Sequence, residues 1–89
     1  EVSDTHPRMR SLCAQRFSEW AALLKQELDE AKAKHLPKAR LDTESLAEHF
    51  IAIIEGALIL AKAKQDMGIV EKSLRHFRRY LENLFEQHR

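Results

Sequence analysis

An all-α fold of three antiparallel helices follows from three features of the sequence. Residues 46–63 form an apolar run with helical spacing, amphipathic segments precede and follow it, and short breaks at 36–41 and 65–68 separate the three. Two glycines and two prolines in 89 residues, with 44% hydrophobic and 33% charged residues, leave little room for turn-rich β structure.

The first helix is expected from Pro7 to about His35. Asp4 or Thr5 is placed to cap it, and Pro7 is tolerated in the first turn, where its missing amide hydrogen has no helical partner anyway. Met9, Cys13, Phe17, Trp20, Leu24, Leu28 and Ala31 step by four and three along one face. The outer face pairs Lys25 with Asp29 and Glu30 with Lys34 at i,i+4, a spacing that supports an exposed helix. Arg16 and Glu27 interrupt the apolar arc, so that face is not a simple dry core.

Pro37 ends the helix, because it lacks an amide hydrogen and disfavours helical backbone at the residue before it. Asp42 then caps a central helix over residues 42–64, with Glu44 in the first turn and Lys62 and Lys64 in the last, each sign where the macrodipole favours it. At 100° per residue, Leu46, Phe50, Ile53, Ala57, Leu60 and Ala61 share one face, and Ala47, Ile51, Ile54 and Leu58 share the next. A third strip of Ala52, Gly56, Ile59 and Ala63 is mostly small and lets another backbone come close. Only Glu48, Glu55 and Lys62 form a charged stripe. A surface helix needs one apolar face of roughly 100°, so this one has more to bury than a chain of this size can cover, and a second partner is expected.

A third helix is expected over residues 66–87 with Asp66 as its cap, antiparallel to the second because the connection is short. Val70, Leu74, Phe77, Tyr80, Leu81, Leu84 and Phe85 share an arc of about 140°, while Glu71, Lys72, Arg75, Arg78, Arg79, Glu82 and Glu86 cover the other side. Arg75-His76-Phe77-Arg78-Arg79-Tyr80 imitates a basic stripe with interleaved aromatics. Its aromatics point to the apolar arc and its arginines meet glutamates one turn away, so it reads as a solvated face.

Net charge is +1, which draws the chain to neither nucleic acid nor anionic membrane. The apolar stretch is too short to span a bilayer. A single cysteine forms no internal disulfide and fits a reducing, cytoplasmic setting. The five histidines and Cys13 show no zinc spacing, so no metal is expected. No phosphate loop, nucleophile elbow or carboxylate pair on a shared cleft is present, so neither an enzyme nor a cofactor is expected. Cys13, three residues before Arg16, is either a packed hydrophobe or a redox-sensitive thiol. Trp20 either fills core or lines a ligand cavity.

The segments Ser3-Asp4-Thr5-His6-Pro7, Phe17-Ser18-Glu19-Trp20, Leu41-Asp42-Thr43-Glu44-Ser45-Leu46-Ala47 and Ile54-Glu55-Gly56-Ala57-Leu58-Ile59-Leu60-Ala61, with the turn at Asp66, resemble in their order the C-terminal regulatory domain of TetR-family transcriptional repressors. The resemblance spans nearly the whole chain. It implies a cytoplasmic, one-component bacterial or archaeal regulator, in which a separate N-terminal helix-turn-helix domain binds operator DNA as a dimer and the C-terminal domain binds a small effector. Residues 1–89, which begin with Glu rather than Met, are then expected to be a fragment of such a regulatory and dimerisation domain, without the DNA-binding head. The last two helices would join their mates in a four-helix bundle, with Phe50, Ile54, Glu55, Leu58, Phe77, Leu81 and Leu84 as the expected contact. The first helix would wall the effector pocket with Cys13, Arg16, Phe17, Trp20 and Leu24. The alternative expectation is a stand-alone helical adaptor that receives an amphipathic partner helix.

Overall fold

The computed structural model describes residues 7–88. Three helices account for nearly all of them: α1 over Pro7–His35, α2 over Thr43–Lys64 and α3 over Gly68–Gln87. The all-α expectation holds, and no strand occurs among the described residues. Asp4, Thr5 and His6 lie outside that range.

Each boundary has a local cause. After α1 the chain turns over Pro37 and Lys38, held by the Ala39 amide donating to the Leu36 carbonyl at 3.1 Å, while Leu36 itself is buried. Asp42 caps α2 as its sequence position implies, its carboxylate accepting from the Ser45 amide at 3.0 Å. At the other end Gln65 takes a left-handed backbone, φ 53° and ψ 45°. The Asp66 amide then reaches the Ala61 carbonyl at 2.9 Å and the Gln65 amide reaches that of Lys62 at 3.3 Å, the paired closure of a Schellman motif.

The start of α3 corrects one expectation. Met67, not Asp66, occupies the capping position, and its side chain makes no capping bond. Asp66 is held one residue back by the hydrogen bond that its amide donates to the Ala61 carbonyl, and its carboxylate instead accepts from the Gly68 amide at 3.0 Å, closing an Asx-type turn.

Both α1 and α3 pack on α2, and they do not pack on each other. The result is a layer measuring 45 × 29 × 14 Å, little more than one helix thick. Its radius of gyration is 15.3 Å, well above the roughly 12 Å of a compact globule of this length. Leu28 of α1, Leu46 and Ala47 of α2 and Phe77 of α3 form the core, flanked by half-buried Ala21, Leu24, Phe50, Ile53, Leu81 and Leu84. Among the described residues no large side chain is fully buried. The most apolar helix therefore lies in the middle of an open layer and remains incompletely covered.

Candidate functional site

The expected dimer contact falls on α2 and α3 and the expected pocket wall on α1, and α2 meets a neighbour on each flank. Of the seven residues expected at a dimer contact, four belong to the core of this chain. Phe77 is only 5% exposed and stands 4.9 Å from Phe50, ring centroid to centroid. Phe50, Leu81 and Leu84 are half-buried against the core cluster. Ile54, Glu55 and Leu58 are half-buried as well, but stand outside that cluster.

The more open apolar residues of α2 lie elsewhere. Ile59 is 66% exposed and Leu60 50%, and Ala52, Gly56 and Ala63 on the same side are exposed too. The periodicity that grouped these residues gave their positions on α2 relative to one another. It did not give the phase of that helix against its neighbours, which decides what is covered.

On α1, Cys13, Phe17 and Leu24 are half-buried, while Arg16 and Trp20 are exposed, Trp20 by 47%. Phe17 and Trp20 meet edge to face with centroids 5.9 Å apart, an arrangement favoured by the ring quadrupoles. Between α1 and α2 runs a groove of about 390 Å³ lined by Phe17, Ser18, Ala21, Glu48, Ile51, Ala52 and Glu55. Of the expected pocket wall only Phe17 lines it. The exposed side chains of Met9, Leu12, Trp20 and Leu23 form a second, separate apolar strip along α1. Arg16 and Glu27, the two polar residues out of pattern, are exposed beside it.

A polar contact that no spacing rule anticipates joins α1 to α2. The Thr43 hydroxyl donates to Asp29 Oδ1 at 2.6 Å, and Lys25 Nζ donates to Asp29 Oδ2 at 2.8 Å. Thr43 is buried. The Lys25 hydrogen bond, and next the Thr43 one, hold the Asp29 carboxyl below its usual range, and the Asp29 hydrogen bond and charge raise Lys25 in turn. Lys25 and Asp29 are the i,i+4 pair legible in the sequence, but Thr43 lies on another helix, and intrahelical spacing says nothing of that.

On α3 the solvated face is as expected, with Arg75 on Glu71 at 2.6 Å and Arg78 on Glu82 at 3.6 Å. His49 of α2 stands 6.0 Å from the Tyr80 ring and 6.1 Å from that of Phe77, so it marks where the two helices meet on that side. Among the described residues no group of three or more His, Cys, Asp or Glu side chains could hold a metal ion. No described helix is long and apolar enough to cross a membrane.

Three helices in an open layer leave the middle one incompletely covered. The sequence matches the family described as "Tetracyclin repressor-like, C-terminal domain" over residues 1–77, and the chain belongs to that family. No curated protein and no solved structure matches it significantly.

Proposed function

We propose that this chain dimerises, and helps to sense a small effector, within a one-component transcriptional repressor of the cytoplasm, and that a helix-turn-helix domain ahead of it binds the operator. The observation that carries this reading is the exposure of Ile59 and Leu60 on the most apolar helix of an open layer. In a second copy they find the cover that one chain lacks. The α2–α3 hairpin forms the dimer contact, with Ile54, Glu55 and Leu58 at its edge and Phe50, Phe77, Leu81 and Leu84 supporting it from within.

In this reading α1 forms one wall of the effector site. Trp20, Arg16 and Cys13 stand on or beside its open side, and Phe17 and Leu24 anchor it against α2. Because α1 packs on the hairpin through α2 alone, an effector that displaces α1 acts on the dimer through that one helix. A change in α2 then alters the separation of two DNA-binding heads relative to their half-sites. The family calls for no catalytic step here.

Joining the chain behind a helix-turn-helix head that occupies its palindromic operator only as a dimer tests the reading. The fusion should restore occupancy. A fusion no better than the head alone, together with a stable monomer that binds an amphipathic peptide, would favour an adaptor instead.

A further inference from the structure

Four residues of α2 line the groove between α1 and α2: Glu48, Ile51, Ala52 and Glu55. They step by three, one and three and so share one face, with Ile51 and Ala52 between a glutamate at each end. Seven residues of helix set the two glutamates about 10 Å apart along the axis. Phe17, Ser18 and Ala21 face them from α1, and no basic side chain is part of the lining. At about 390 Å³ the groove has the size of a small-molecule site.

Neither carboxylate has a partner. The ion pairs among the described residues join Lys25 to Asp29, Arg75 to Glu71 and Arg78 to Glu82, and no side-chain hydrogen bond there reaches Glu48 or Glu55. On α2 itself no basic residue stands three or four positions from either one, so helical spacing supplies none. Glu55 is the informative one, because it is half-buried. A carboxylate drawn partly out of water with no cation to offset the loss costs free energy, which a positively charged ligand restores. Phe17 brings an aromatic ring to the facing wall, set edge to face against Trp20 at 5.9 Å, and the face of such a ring attracts an ammonium group.

We infer that this groove takes a hydrophobic organic cation, an alkyl or aryl ammonium whose apolar body lies along Phe17, Ala21, Ile51 and Ala52 and whose charge meets Glu48 or Glu55. The inference rests on the effector reading above and names the chemical class of that effector. An anionic ligand meets like charge at both ends of the groove, and a neutral one leaves both carboxylates unpaired. Glu55 also borders the proposed dimer contact, so a cation seated there acts beside the second copy.

Calorimetric titration of the chain with octyltrimethylammonium, octanoate and octanol, the two amphiphiles kept below micelle formation, tests this. The cation should bind at least about tenfold more tightly than either of the others. Glu48→Gln with Glu55→Gln should keep its helical circular dichroism, lower the affinity for the cation at least about tenfold and leave that for octanol within about threefold. Ala52→Leu, which fills the groove, should weaken the binding of the cation and the alcohol alike.

Equal binding of the cation and the alcohol overturns the charge preference and leaves an effector groove standing. A preference for the cation that survives the double glutamine change overturns the roles of Glu48 and Glu55. Binding of none of the three removes the groove as an effector site and the ligand class with it. An affinity for the cation that falls as the chain is concentrated places a second copy in the groove and overturns the ligand there.

Discussion

The Thr43 hydroxyl donates a 2.6 Å hydrogen bond to Asp29 Oδ1, which fastens the first residue of α2 to the C-terminal part of α1. Thr43 is buried while the Asp29 carboxylate stays partly exposed, so removing the hydroxyl loses one hydrogen bond and leaves the carboxylate within reach of water. Thr43→Val keeps the side-chain shape and removes the donor. Its melting temperature should fall by on the order of 5 °C, whereas Thr43→Ser should recover most of the loss. A thermal melt by circular dichroism with no difference among the three chains would mean that the contact contributes nothing.

The same contact gives stability a pH dependence. The Asp29 carboxyl is held below its usual range by Lys25 and then by Thr43, so folding favours the ionised form. The stability this adds is complete above the unfolded-state pKa of about 4 and disappears as pH falls through the lower folded-state value. Asp29→Asn should therefore flatten the acid side of a stability-versus-pH profile measured by urea unfolding. An unchanged acid limb in the variant would contradict this.

Phe77, expected at the dimer contact, lies in the core against Phe50. Phe77→Ala should cost about 3 to 5 kcal/mol, enough to unfold so small a chain at room temperature. Ile59→Ala, at an open position, should leave the dilute monomer within about 0.5 kcal/mol of the unaltered chain. Urea titrations at concentrations too low for association separate the two.

Gln65 closes α2 in a left-handed conformation that favours glycine. A non-glycine residue there costs about 1 to 2 kcal/mol, and glycine loses about 0.5 to 1 kcal/mol more backbone freedom on folding. Gln65→Gly should thus stabilise the chain by about 0.5 to 1 kcal/mol. A lower urea midpoint would show that the Gln65 side chain contributes something its backbone conformation conceals.

What could be read from the residues was what depends on neighbours along the chain. His35 ends α1 as expected, and Asp42 caps α2, because capping and helical spacing are local. Asp66 was misplaced by one residue because the closure of α2 competes for the same few residues, and its amide is already committed to Ala61. Thr43 meeting Asp29, and Phe50 with Phe77 turning inward while Ile59 stays open, depend on how one helix is rotated against another. No intrahelical period contains that angle.

Sedimentation equilibrium of the 89-residue chain over a wide dilution series tests the need of α2 for a second copy most directly. The mass should be twice 10.4 kDa, falling towards 10.4 kDa only on strong dilution. A single species of 10.4 kDa at every concentration, with helix content intact, would contradict the account.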